Sequence, residues 1–180
     1  SLGLGLTLFS SLALIESNLE ARLQEEVPMQ APAFFFLDIQ ANQIDDFRAT
    51  TQTLDGVSDL MTVPNLRGRI IKLNDTMAQD AEVDPEYRWV LNGDRGLSYD
   101  TAVPNGSTLT EGDWWPEGYS GPSEISFGAK EAKGLGLKVG DHITLTVLGR
   151  EITARIRSLR DINWGTMGFN FVMMFDPNTL

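Results

Sequence analysis

The chain has 180 residues, of which 42% are hydrophobic and 22% charged, and these proportions fit one folded domain or one domain with a small insert. Its formal net charge of −11 argues against a nucleic-acid partner, because neutralising phosphates requires a basic face. The chain has no cysteine and a single histidine, His142. Disulfides, thiol catalysis, and zinc sites built from cysteines or from several histidines are therefore excluded.

The first segment, residues 1–15, carries no charge and is rich in leucine. It lacks the basic start and the small-residue cleavage site of a signal peptide, and 15 helical residues rise only about 22 Å against a hydrocarbon core of about 30 Å. Gly3, Thr7 and Ser11 recur every four residues, the spacing at which membrane helices pack closely. A buried core helix and a chance spacing of common residues are the alternatives. We predict the outer end of a truncated transmembrane helix, with its acidic flank on the non-cytoplasmic side.

The next elements in chain order predict a helix followed by a strand-helix-strand unit. Residues 16–28 continue the apolar stripe and predict a stalk helix. The stretch AFFFLDI, residues 33–39, is short, aromatic and apolar on both faces, as in a central strand. Asn42 is placed to cap a helix that ends before Gly56. Residues 57–74 then predict a second extended run with a bend in its middle.

The middle of the chain, residues 76–123, is rich in Asp, Gly, Pro, Tyr and Trp and predicts a small β-rich insert. Trp114, Trp115 and Tyr119 lie in its turn-rich stretch EGDWWPEGYSGP. Aromatic side chains on such a loop form the candidate contact surface for a partner or an apolar ligand. The same side chains would equally pin the insert to the main core, and the sequence leaves both interpretations open.

The last third of the chain contains a strong hairpin pattern. A short helix from Ala129 precedes the alternating stretch HITLTVLGREITARI, and a final strand is predicted over residues 169–175. With Gly149-Arg150 as a two-residue loop, the predicted cross-strand pairs are Val147 with Ile152, Leu145 with Ala154, and Ile143 with Ile156. These apolar residues then share one face of the hairpin.

No constellation of catalytic residues emerges. The stretch Gly118–Gly121 resembles a nucleophile elbow, but proline follows where the motif requires glycine. The glycines at 134, 136 and 140 follow a helix, so a dinucleotide phosphate would have no helix N-terminus to occupy. We therefore predict a protein that is not an enzyme, without catalytic, metal-binding or cofactor-binding residues.

For the fold, the element order predicts an α+β class. Residues 29–75 and 124–180 would form a βαβ-containing mixed sheet with helices on one face. The mostly-β subdomain of residues 76–123 would be inserted between the two halves.

Several stretches together resemble one known family. They span nearly the whole chain: PAFFFLDIQANQ (32–43), RGRIIKLN (67–74), EGDWW (111–115), KGLGLKVGD (133–141), ITARIRSLRDINW (152–164) and NFVMMFDPNTL (170–180). This set resembles the extracytoplasmic, MacB-like periplasmic core domain of ABC-transporter permeases of the MacB/FtsX superfamily, and within it the YbbP-like branch.

The resemblance implies a bacterial inner-membrane protein whose domain faces the periplasm. It implies a separate cytoplasmic ABC ATPase subunit, a permease homodimer in the full protein, and a role in mechanotransmission, by which ATPase-driven helix motion exports or extracts a substrate. A hydrophobic or lipid-like cargo and a periplasmic esterase are the further partners that it suggests. The alternative is a periplasmic binding or adaptor module anchored by a single span.

Overall fold

The computed structural model describes residues 7–16, 34–57, 59–165 and 168–180, which fall into two compact units. The first unit comprises Ser1–Val57 and Gly165–Gly168, and the second comprises Ser58–Trp164 and Phe169–Leu180. In the first unit, residues 7–16 form helix α1 and Ile44–Gln52 form α2. Residues 17–28 of the expected stalk helix lie outside the described residues.

The second unit is a sheet that closes on itself. Its strands are β1 (Leu66–Leu73), β2 (Thr76–Met77), β3 (Arg95–Tyr99), β4 (Ser107–Gly112), β5 (Glu124–Gly128), β6 (His142–Val147), β7 (Arg150–Ile162) and β8 (Met173–Phe175). A 3₁₀ turn (Arg88–Val90) and the short helix α3 (Ala129–Gly134) complete the unit, and α3 lies where the sequence predicts it. The hydrogen-bonded order β1-β3-β8-β5-β7-β6 returns from β6 to β1, so six strands form a closed mixed barrel.

Two features of the strands make this closure possible. The 13 residues of β7 pair with β6 over their first half and with β4 over their second half, while β5 occupies the other edge. The pairs β3–β8 and β5–β7 are parallel, and all other described strand pairs are antiparallel. The stretch 76–123 supplies β2, β3 and β4.

The barrel interior is filled with apolar side chains, as the alternation of β6 and β7 requires. The core includes Leu97, Ile125, Phe127, Ile143, Leu145, Ile156, Met173 and Phe175, each fully buried. Fully burying one such side chain contributes about 1.5–3 kcal/mol. The strand β5 is buried at all five positions and is therefore covered on both of its faces.

The expected α+β fold, with helices covering one face of a sheet, is wrong. Helix α2 has no buried residue, and α3 buries only Glu131 and Ala132. A sheet face must be covered by some apolar layer, and here the opposite wall of the barrel supplies it. The apolar pattern of the strands is the same in both arrangements, which is why the sequence did not separate them.

The expected central strand over residues 33–39 is also wrong where it is described. Residues 34–40 are not in a strand, and the φ of Asp38 is 61°, which an extended backbone does not adopt. Phe34 is 80% exposed and Leu37 is 67% exposed, so this stretch is not part of a core. The extended run predicted over 57–74 is a strand only from Leu66 to Leu73.

The predicted helix after this stretch is present, with different ends. Its N-cap is Gln43 instead of Asn42, and no side-chain hydrogen bond caps it. Thr53 is the C-cap, three residues before Gly56. The rings of Phe36 and Phe47 meet edge to face with centroids 5.1 Å apart, which attaches the exposed stretch to the half-buried stripe of the helix.

The predicted hairpin is present, but in a different register. The loop is Leu148-Gly149, so the observed pairs are Val147 with Arg150, Leu145 with Ile152, and Ile143 with Ala154. Both loop residues have positive φ, 49° and 78°, as a type I′ turn requires. The predicted pairing differs by two residues on one strand. Because side chains alternate with a period of two, every residue keeps its predicted face.

Candidate interaction surfaces

Trp115 anchors the loop after β4 to a small second core. Its side chain is 4% exposed and packs with Phe171 and Met174. Its indole Nε1 donates a hydrogen bond of 2.7 Å to the carbonyl of Asp100. Buried tryptophan usually finds such a partner, so this side chain is satisfied within the domain. The sequence left open whether these aromatic side chains contact a partner or attach the loop to the core. The contacts of Trp115 are those of a side chain that attaches the loop.

Trp114 and Tyr119 lie nearer the surface of the same cluster. The Trp114 ring is half-buried with its centroid 4.0 Å from that of the adjacent indole, and its Nε1 donates to the carbonyl of Thr101 at 3.0 Å. The Tyr119 hydroxyl donates to the carbonyl of Pro122 at 2.7 Å. The Arg157 guanidinium lies 5.7 Å from the centre of the tyrosine ring. A partner contact at these two residues stays a prediction.

Beneath Tyr119, a buried glutamate binds two arginines. The Glu124 side chain is 4% exposed and accepts hydrogen bonds of 2.7 Å from Arg155 and from Arg157, one on each carboxylate oxygen. Burial acts to raise the pKa of Glu124, but the hydrogen bonds from the two guanidinium groups outweigh it and lower the pKa below the ordinary value of 4.5. Burial and the charge of Glu124 raise the pKa of Tyr119. The carboxylate is therefore ionised and fixed.

Sequence reasoning missed this ion cluster. The alternation of β7 places Arg155 and Arg157 on one face, which is a visible signal. Their partner lies more than 30 residues earlier in the chain, and it reaches them because β5 and β7 pair in parallel with Glu124 opposite Arg155. No local pattern predicts that pairing.

A second buried carboxylate, Asp176, follows β8 directly and is fully buried. One of its oxygens accepts hydrogen bonds from the backbone N–H groups of Asn178 (3.0 Å) and Thr179 (3.1 Å). The other accepts from the backbone N–H of Glu124 (3.0 Å) and from the Thr179 hydroxyl. The sequence signal for this turn is the dipeptide Asp176-Pro177, because Asp-Pro is a frequent start of a helix.

Arg160 is a buried cation on β7. It is 1% exposed, and it donates to the carbonyls of Phe171 (2.8 Å) and Val172 (3.2 Å) and to the Ser107 hydroxyl (3.1 Å). Burial lowers the pKa of Arg160 to about 10, and the charge of Glu131 opposes that shift. The guanidinium ties the segment before β8 to the barrel wall.

The described part of the chain contains no group of three or more His, Cys, Asp or Glu side chains that could hold a metal ion. His142 is exposed at the start of β6, and its backbone N–H donates to the Asn74 side chain at 2.8 Å. Together with Lys72 and Asp75 it lines a shallow polar cleft. These residues show none of the mutual hydrogen bonds that a catalytic pair would require.

The first unit exposes apolar side chains in two places. In helix α1, the exposed large side chains are Leu8, Phe9, Leu12, Leu14 and Ile15, between 62% and 79% exposed. Phe34, Phe35, Phe36 and Leu37 follow as a second exposed run, between 53% and 80% exposed. Within the described ranges, no helix has both the length and the apolar character needed to cross a membrane. Thr7 and Ser11 lie on α1, whereas Gly3 lies outside the described residues.

Exposed apolar runs of this kind are typical of surfaces that contact a membrane or another chain. They belong to a chain that is similar in sequence to an ABC transporter permease. One relative is the uncharacterized ABC transporter permease YbbP of Escherichia coli (strain K12), which is 25% identical over 177 residues. The matched region covers 98% of this chain and 21% of the relative, so the chain spans about a fifth of that protein's length. No family model matches the chain.

Proposed function

We propose that this chain is the extracytoplasmic domain of an ABC transporter permease subunit in a bacterial inner membrane. The observation that carries the proposal is the apolar, exposed helix α1 in a chain that aligns over almost its whole length with a permease. An apolar helix without a core to cover is stable next to lipid or to other apolar helices. Between Ile15 and Arg48 the sequence contains a single basic residue, Arg22, and a scarcity of Lys and Arg beside an apolar helix agrees with a position on the non-cytoplasmic side.

In this role the domain transmits movement and performs no catalysis of its own. A cytoplasmic ATPase subunit would move the membrane helices, and the barrel would follow as a rigid body because its strands form a closed ring of hydrogen bonds. The full subunit would act as a homodimer. Its cargo would be hydrophobic or lipid-like, and a periplasmic esterase would be a further partner.

Cysteine accessibility in the full gene product tests the location of the domain. Thr110 is exposed on β4 and Ser126 is fully buried on β5, and the chain has no cysteine of its own. In cells with a permeabilised outer membrane and an intact inner membrane, Thr110→Cys should react with a membrane-impermeant maleimide. Ser126→Cys should react only after denaturation. The unsubstituted gene product gives the background.

Labelling of Thr110→Cys only after the inner membrane is lysed would contradict the proposal.

The gene itself distinguishes the permease from a single-span binding module. A permease requires apolar stretches of about 20 residues encoded on both sides of this domain. A reading frame that ends shortly after Leu180 would favour the alternative, a binding module with a single span. Its ligand would then be sought at Trp114.

A further inference from the structure

The residues that follow β8 have the hydrogen-bond pattern of a helix start. In a helix N-cap, a side-chain oxygen accepts hydrogen bonds from the backbone N–H groups two and three residues later. Asp176 Oδ1 accepts from Asn178 and Thr179, at 3.0 and 3.1 Å. Pro177 lies between them, and proline is favoured at the first helical position because its missing N–H would have no intrahelical partner. The four residues therefore match the positions from N-cap to N3.

The same carboxylate is also bound to the barrel. Its Oδ2 accepts from the backbone N–H of Glu124 at 3.0 Å, and the backbone N–H of Asp176 donates to the Glu124 carbonyl at 3.1 Å. Asp176 follows the last residue of β8 directly, so no linker separates the strand from the turn. A buried carboxylate that uses both oxygens in this way fixes two elements relative to each other.

The connection continues into the sheet through the Glu124 side chain. Its two oxygens bind Arg155 and Arg157 on β7, each at 2.7 Å. Asn178 adds a further link, since its side-chain amide donates to the carbonyl of Tyr119. The turn after β8 is thus bonded to β5, to the aromatic loop and, through Glu124, to β7.

We infer that Asp176 is a positioning residue that caps a helix beginning at Pro177 and fixes the first turn of that helix to the barrel. A displacement of the helix would be transmitted to β5, because no flexible linker lies between the two. The consequence for transport rests on the proposed function, whereas the helix and its attachment do not depend on it.

Residue-resolved hydrogen exchange on the full gene product tests this inference. In an N-capped helix the carbonyl of the cap residue accepts the first intrahelical hydrogen bond, so the Leu180 amide should be protected along with those of Asn178 and Thr179. An isolated turn would leave the Leu180 amide exchanging at the rate of an unstructured chain, and that result would overturn the inference.

Two substitutions separate the cap from the attachment. Asp176→Ser retains a capping oxygen, but its side chain is too short to reach Glu124 as well. The Thr179 amide should keep its slow exchange, while the Glu124 amide exchanges faster. Asp176→Ala should accelerate both amides, with an effect on Thr179 of about fivefold to tenfold, the loss expected for a removed cap. Asp161→Ala, at an exposed aspartate of β7, is the control and should change neither.

Unchanged exchange at both amides in Asp176→Ser and Asp176→Ala would also contradict the inference. If the alanine variant does not fold, the inference is still tested by the serine variant and by the exchange rate of the Leu180 amide in the unsubstituted protein. Exchange rates do not depend on which side of a membrane the domain faces. A failed cysteine-labelling experiment would therefore overturn the proposed function and leave this test intact.

Discussion

Glu124 shows how a carboxylate is accommodated at a buried position of a barrel. Burial alone would disfavour its ionised form, and two arginine hydrogen bonds reverse that preference. Arg155 is half exposed while Arg157 is three-quarters buried, so the pair contributes less than two fully desolvated cations would. The backbone of the same residue holds Asp176. This one residue therefore joins the ion cluster to the turn that follows β8.

The lowered pKa of Glu124 predicts how stability depends on pH. Because the folded-state pKa lies below the ordinary value of 4.5, the stabilisation is fully present above about pH 4.5 and is lost as the pH falls through the folded-state pKa. Glu124→Gln should lower the free energy of unfolding by about 1–3 kcal/mol at pH 7, the cost of losing charged hydrogen bonds. Its stability should also change less between pH 7 and pH 3.5.

Urea unfolding at the two pH values measures both effects. Glu117→Gln removes an exposed carboxylate of the loop before β5, and this variant should show the same stability as the unsubstituted protein at both pH values. If Glu124→Gln has the same pH dependence as the Glu117 variant, the ionised Glu124 does not contribute to stability.

At the scale of single elements, the sequence pattern predicts which face of a strand is buried better than it predicts which strand pairs with it. The alternation in HITLTVLGREITARI correctly assigns the inward apolar side chains of β6, and those of β7 as far as Ile156, since the pleat alone sets which face they occupy. The register of the hairpin depends on which two residues adopt positive φ. Leucine at position 148 does not predict that conformation. The stretch FFFL at 34–37 fails for a different reason. Apolar residues that contact something outside the domain look the same as those of a central strand.

The turn of the β6–β7 hairpin offers a stabilising substitution. Leu148 is 81% exposed with a φ of 49°, a conformation that costs an ordinary side chain about 1–2 kcal/mol. Asparagine tolerates it, and Asn-Gly is the favoured type I′ pair. Leu148→Asn should raise the free energy of unfolding by about 0.5–1 kcal/mol, measured from urea midpoints. Leu148→Val should lower it, because a β-branched side chain is least tolerant of positive φ. Equal midpoints for the two variants would contradict the turn assignment.

At the scale of the whole molecule, closure of the barrel is the property that the sequence shows least. It requires β1 to pair with β6, about 70 residues later, and β3 to pair in parallel with β8. It also requires β7 to pair with β6 on one edge and in parallel with β5 on the other. These are non-local pairings, for which a single sequence carries no signal beyond apolar alternation. The same distinction applies to the candidate site. The aromatic loop can be predicted from the sequence, because its residues are contiguous, whereas the buried Glu124 cluster depends on a non-local strand pairing and cannot.

The exposed apolar helix α1 predicts that this chain binds lipid. Phe9 and Leu12 are 79% and 62% exposed and lie three residues apart, on one face of the helix. Burying one such side chain contributes about 1.5–3 kcal/mol. The chain should therefore float with neutral phosphatidylcholine vesicles, which avoid repulsion of its net charge of −11. Replacing both residues by aspartate should lower the partition coefficient by about a hundredfold or more.

A matched control separates this binding from general apolar exposure. Leu148→Asp places a charge at an exposed leucine of the barrel unit and should leave flotation unchanged. If the double variant of α1 floats as well as the unsubstituted chain, α1 is not the membrane-binding element. If Leu148→Asp reduces flotation to the same extent, the loss reflects an added charge at any exposed apolar position, and the prediction that α1 is the specific membrane-binding element is contradicted.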